Sequence, residues 1–218
     1  MVVKNNKRTA KNFFLLLIIF LFFSCKKNDK KFSKQVNIQD ITNEDNYAIS
    51  SKKENDSIIL ISGESNQYTL QGYKNVRNNE KIGWWKVKDK TNDFLYEIEF
   101  LSVNIEKENQ IKFYEGGKLI NRFSQYYDVI YKNNGYEFKF YFPKYKDEKT
   151  RVEFNYMTKN NNTIENKRID CKTENGYYIC FIPGEKKEKS IAGVATFFSE
   201  SENKKETTFS SVSMFVNN

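Results

Sequence analysis

Tyr136-Glu137-Phe138-Lys139-Phe140-Tyr141-Phe142 places four aromatic rings at every second position, with Glu137, Lys139 and Tyr141 between them. Side chains of an extended chain point alternately to opposite faces, so this period of two predicts a strand with one buried face. Pro143 has no amide hydrogen to give to a ladder and ends the strand. Residues 127–132 read as the partner strand across Asn133-Asn134-Gly135, a turn in which Gly135 can supply a positive φ. Downstream, Val152, Phe154 and Tyr156 alternate with Arg151, Glu153 and Asn155. Further strands are expected at 167–171, 177–182, 191–199 and 209–216.

Cys171 and Cys180 flank Asn175-Gly176, a strong short hairpin signal that predicts a type I′ turn. With those two residues at the tip, Glu174 faces Tyr177, Thr173 faces Tyr178, Lys172 faces Ile179 and Cys171 faces Cys180. Bonded and non-bonded pairs alternate along a ladder, so the cysteines fall on a non-hydrogen-bonded pair, with Cα atoms about 4.5 Å apart. That lies within the disulfide range of about 4.4–6.8 Å. A structural disulfide is expected, with two buried thiols as the alternative. The spacing is not C-x-x-C, and the chain has no His to complete a zinc shell. The strands of residues 127–218 resemble an immunoglobulin-like sandwich, with a small barrel as the alternative.

The preceding segment, 58–126, is also rich in strands. Ile58-Ile59-Leu60-Ile61 precedes Ser62-Gly63, and Tyr96, Ile98 and Phe100 alternate with polar residues. Gly83-x-Trp85 and, later, Tyr114-x-x-Gly117-Lys118-Leu119 resemble the MORN-type repeat, whose units are stacked β-hairpins. The resemblance implies an antiparallel β-meander and no catalytic site; an ordinary meander with aromatic cross-strand pairs is the plainer alternative. Trp84 and Trp85 are adjacent and must point to opposite faces. One is expected in the core; the other is either covered or part of a binding surface. Asp56-Ser57-Ile58 matches the short O-glycosylation motif of Bacteroidota envelope proteins, which makes Ser57 a candidate acceptor.

At the N-terminus, Lys4, Lys7, Arg8 and Lys11 precede 11 consecutive apolar residues, 13–23. A membrane-spanning helix needs about 20 such residues, so this run has the length of a signal core. Leu21-Phe22-Phe23-Ser24-Cys25 resembles the lipobox of bacterial lipoproteins, in the looser form of Bacteroidota. The resemblance implies cleavage after Ser24 and acylation of Cys25, which anchors the protein to a lipid bilayer. Lys26 stands where the enterobacterial inner-membrane retention signal has Asp, and only Asp29 represents the acids of surface-export signals. The expected address is the periplasmic face of the outer membrane, with the cell surface as alternative.

The expected organisation is a signal peptide at 1–24, a lipidated Cys and polar tether at 25–57, a β-meander at 58–126 and a β-sandwich at 127–218. The fold class is therefore mainly β. Of 36 basic and 28 acidic residues, the leader holds four basic and no acidic ones, which lowers the net charge from +8 to +4. This mixed balance and an exported address argue against nucleic acid as partner. Without His there is no Ser-His-Asp triad, Cys-His pair or histidine-bound zinc. No glycine-rich phosphate loop or cofactor motif is present. The reading is a non-catalytic envelope module that binds a protein or glycan. The alternatives are an immunity or inhibitor lipoprotein, or an envelope-glycan hydrolase built on paired carboxylates.

Overall fold

The structure is a computed structural model that describes residues 36–103, 105–143, 148–160, 163–184, 190–202 and 207–217. Cys25 and the leader lie outside the described residues. Ordered elements begin at Ile38, inside the stretch 25–57 read as tether with one or two short elements. A one-turn helix α1 (Ile38–Ile41) and a 3-10 turn (Glu44–Asn46) come first. Ile41 is buried, the Tyr47 hydroxyl donates to the Ile41 carbonyl, and Lys74 pairs with Glu44 at 2.9 Å. A short segment of scattered apolars thus gains its order from tertiary contacts, which a periodicity reading does not register.

Seven strands follow and form one antiparallel sheet in chain order: β1 (Ala48–Lys53), β2 (Ile58–Glu64), β3 (Tyr68–Asn75), β4 (Lys81–Asp89), β5 (Phe94–Val103), β6 (Ile105–Glu115) and β7 (Lys118–Leu119). One face is apolar and buried: Leu70, Trp85, Val87, Tyr96, Ile98, Phe100 and Phe113. Trp85 lies over Gly72, where a methyl group would come within 2.1 Å of the indole, and meets Phe100 edge-on at 6.1 Å between ring centres. The β6–β7 turn is Gly116-Gly117, both with positive φ (55° and 74°), as a tight two-residue hairpin requires.

The remaining strands are β8 (Tyr126–Lys132), β9 (Gly135–Tyr141), β10 (Glu148–Asn160), β11 (Thr163–Asp170), β12 (Lys172–Glu174), β13 (Tyr177–Pro183), β14 (Ser190–Glu202) and β15 (Thr207–Asn217). They make two four-stranded sheets, β12-β13-β9-β8 and β11-β10-β14-β15. Lettered A, B, C, C′, D, E, F and G along the chain, the sheets read D-E-B-A and C′-C-F-G, the order of an immunoglobulin-type Greek key. The core between them is aromatic: Phe154 packs on Phe138 and Phe140, each at 5.2 Å, and Phe142 stacks on Phe197. The sheets remain separate, so the region is a sandwich and not a barrel.

Three local details depart from expectation. The strand expected at 167–171 is the second half of a longer one, β11, which ends at Asp170; after Cys171 the chain leaves β10 and a separate short strand, β12, pairs with β13. In the β8–β9 turn the positive φ values belong to Asn133 (51°) and Asn134 (57°). Gly135 instead opens β9, where a Cβ would meet the Phe181 ring at 2.3 Å. Finally, only Gly176 of the Asn175-Gly176 turn has positive φ, so that turn is not type I′.

Candidate functional site

The cysteine hairpin has the expected register: Lys172 opposite Ile179, Thr173 opposite Tyr178 and Glu174 opposite Tyr177. Cys171 and Cys180 are bonded as a disulfide with Cα atoms 4.7 Å apart. Cys180 is buried and Cys171 packs at the core edge, so the bond staples the sheet-to-sheet crossing to β13. That is a structural role.

The tryptophan pair divides sharply. Trp85 is 0% exposed and gives its indole N–H to the Tyr73 carbonyl at 3.0 Å. It is the member of the pair that belongs to the core, which leaves Trp84 as the candidate for a binding surface. Trp84, one position earlier and therefore on the opposite face, is 36% exposed. Lys112 of β6 sets its ammonium over the Trp84 ring at 5.1 Å and over the Tyr126 ring at 5.3 Å. Tyr126 stacks in parallel on Tyr141 at 4.3 Å, and Tyr141 meets Tyr177 at 5.5 Å. Lys139 lies over Tyr177 at 5.4 Å. Trp84, Lys112, Tyr126, Tyr141 and Tyr177 thus form one row across β4, β6, β8, β9 and β13.

Strand parity builds this row. Tyr126 is directly opposite Tyr141, and Asp128 opposite Lys139, on the face of β8 and β9 that points away from the sandwich core. The meander joins that face because Ile111 bridges Gln125 and the Gln110 side chain accepts from the Tyr127 amide at 3.1 Å. Beside Trp84, Glu97 pairs with Lys86 at 3.3 Å and accepts from the Tyr114 hydroxyl at 3.0 Å. Burial, reinforced by the Glu97 contact, pushes the Tyr114 phenol up to about 12. Burial, with Tyr141 and Asp128 nearby, raises Tyr126 further. Both phenols are neutral at physiological pH, so the charges nearby are those of Lys86, Lys112 and Lys139 against Glu97, Glu99 opposite Trp84, Asp128, and Glu137 beside Lys139. Such a surface can stack on rings or apolar faces and exchange hydrogen bonds.

Sequence reading singled out the Trp84-Trp85 pair and set Lys139 and Tyr141 on the face opposite the aromatic core. It missed Lys112, Tyr126 and Tyr177, because which residues adjoin across strands depends on pairing order and not on alternation. Ser57 lies in an exposed bend between β1 and β2; its carbonyl accepts from the Val76 amide at 2.9 Å. Among the described residues no three His, Cys, Asp or Glu side chains gather in a way that could hold a metal ion. No helix among them is long and apolar enough to cross a membrane. No family model matches the chain, and no curated protein or solved structure matches it.

Proposed function

We propose that the protein is a lipid-anchored envelope lipoprotein, held at the outer membrane through acylated Cys25. It acts as a non-catalytic binding or assembly module for an envelope protein or glycan. The basic leader, the 11-residue apolar run and Ser24-Cys25 support the anchor. The observation that carries the binding reading is the aromatic row. Trp84 is 36% exposed, partly exposed Tyr141 and Tyr177 continue its face beyond Lys112 and the buried Tyr126, and exposed Trp and Tyr are enriched at the anchoring centres of interfaces.

Two measurements test the two halves separately. Growth with a clickable palmitate analogue should label the wild type, leave Cys25→Ala unlabelled and move that variant to the soluble fraction. An unlabelled wild type would remove the anchor. Envelope protein and glycan fractions passed over immobilised, detergent-solubilised protein should be retained by the wild type and lost with Trp84→Ala. Equal retention by both would remove the row as the binding face.

A further inference from the structure

Lys112 stands directly opposite Glu97 on the β5–β6 ladder, where a cross-strand ion pair would be expected. That pair is not made. Glu97 turns instead to Lys86 at 3.3 Å and to the Tyr114 hydroxyl at 3.0 Å. The next acid on the same face of β5, Glu99, takes the side-chain amides of Asn109 and Gln110 at 2.7 and 2.8 Å. Both carboxylates of β5 near Lys112 therefore have other donors. Among the described residues the Lys112 ammonium makes no hydrogen bond and no ion pair; it is held by the Trp84 ring at 5.1 Å and the Tyr126 ring at 5.3 Å. Rings attract the charge but leave the three N–H donors of this half-buried ammonium for an acceptor from outside the chain.

The surroundings of Lys112 limit what that acceptor belongs to. Glu97, Glu99 and Asp128 lie on the same face, so a densely charged polyanion is repelled, whereas one carboxylate set among neutral groups is not. The row also limits shape. Its members come from β4, β6, β8, β9 and β13, so at about 4.8 Å per strand it crosses the strands over about 20 Å. β4, β5, β6, β9 and β13 all have neighbours on both sides, and their backbone groups are spent in ladders. A peptide that binds by strand addition needs such groups, and an amphipathic helix needs an apolar groove where this face has Lys86, Glu97 and Lys112. A glycan needs neither. Its sugar rings set C–H faces against aromatic rings, and its oxygens meet lysines, amides and carboxylates.

We propose that the row binds a linear glycan carrying isolated carboxylates, with Trp84 against a sugar ring and one carboxylate on the Lys112 ammonium. This rests on the reading of the row as the binding face and adds the ligand class and the residue that selects it.

Two probes isolate the carboxylate. Peptidoglycan strands stripped of their stem peptides by an amidase carry a lactyl carboxylate on every second N-acetylated sugar; chitohexaose has the same kind of backbone and no carboxylate. In calorimetric titrations of the full chain in detergent, the strands should bind about tenfold or more tighter than chitohexaose, the worth of a charge-assisted hydrogen bond. That preference should fade at about 1 M salt. The released stem peptides, which carry carboxylates without sugars, should not bind. Lys112→Met should bring the strands down to the level of chitohexaose and leave chitohexaose unchanged, while Lys112→Arg should keep the preference. A purely structural Lys112 would instead weaken both glycans alike. Should Lys112→Met fail to fold, the wild-type preference and its salt dependence decide. Strands that do not bind, equal affinity for the two glycans, binding of the stem peptides, or a preference that survives Lys112→Met overturns the proposal. If envelope fractions are still retained through Trp84 in such a case, the row stands and its ligand is wrong; if Trp84→Ala changes nothing there, the row itself falls.

Discussion

Gly72→Ala asks whether the burial of Trp85, and with it the outward display of Trp84, rests on the missing side chain at position 72. An ideal Cβ at residue 72 lies 2.1 Å from Trp85 Cδ2 and 2.3 Å from Cγ and Cε2. Carbon atoms rest at about 3.5–4.0 Å, so the indole must retreat by about 1.5 Å. It has little room, since it is fully buried, bonded to the Tyr73 carbonyl and met edge-on by Phe100. Overpacking of this kind costs about 1–3 kcal/mol, and loss of the indole hydrogen bond about 0.5–1.5 kcal/mol. Replacing glycine recovers about 0.4–1 kcal/mol from the unfolded chain. The expected net loss is about 2–3 kcal/mol, or about 4–12 °C in Tm for a chain of this size. Urea unfolding followed by tryptophan emission and circular dichroism reads it directly. The double variant Gly72→Ala/Trp85→Phe should lose less than the sum of the single costs, because the smaller ring leaves space for the methyl. An unchanged midpoint for Gly72→Ala, or strict additivity in the double variant, would refute the close approach.

Other outcomes follow from the same geometry. Reducing the Cys171–Cys180 bond, which closes a loop of sequence separation 9, should cost about 2–3 kcal/mol, and intact mass should rise by the mass of two hydrogen atoms on reduction. Iodide should quench the exposed Trp84 and spare the buried Trp85, so Trp84→Phe should leave emission that iodide barely touches. Asp89 gives a pH dependence. Burial opposes its charge, but hydrogen bonds from the side chains and amides of Thr91 and Asn92 prevail and hold its carboxyl at about 2, below the ordinary 3.8. Its stabilisation is therefore complete above about pH 4 and is lost as pH falls through about 2. Asp89→Asn should be less stable than the wild type at pH 7, and urea midpoints should converge near pH 2; a constant gap would count against the charge as the cause.

Regular alternation made most of the sheet architecture legible. The four rings between Tyr136 and Phe142 are all buried, as a period of two requires, and the cysteine register followed from Asn175-Gly176 even though the turn dihedrals differ. What alternation leaves open is where local chemistry yields to tertiary context. Asn133 and Asn134 take the left-handed conformations, which frees Gly135 for the close approach of Phe181. Residues 38–53, with only scattered apolars, become structure because Lys74, Gly63 and the β2 edge lie ready to receive them. For the site, alternation separates Trp84 from Trp85. It also carries a signal for which is buried, since Val87 shares the face of Trp85 while Lys86 and Lys88 share that of Trp84. It does not reveal Lys112 as the link between two sheets, since that depends on β8 following β6 in space.

One irregularity explains how the meander and the sandwich are joined. The β5–β6 ladder shifts between Glu99 and Phe100: Glu99 lies opposite Gln110, Phe100 opposite Glu108, and Asn109 is the extra residue of a bulge. Without the bulge, Asn109 and Gln110 would point to opposite faces. With it, both side-chain amides donate to the same Glu99 carboxylate, at 2.7 and 2.8 Å. Their remaining capacity then serves two different sheets. Asn109 holds the Phe215 backbone on β15, and Gln110 accepts from the Tyr127 amide on β8. Both amides are buried, so each bond avoids an unpaired polar group as well as adding an attraction. The same stretch of β6 carries Lys112, two residues beyond Gln110, against Trp84 and Tyr126. The bulge thus fixes both ends of the sandwich to the meander and sets the lysine that continues the aromatic row across the junction.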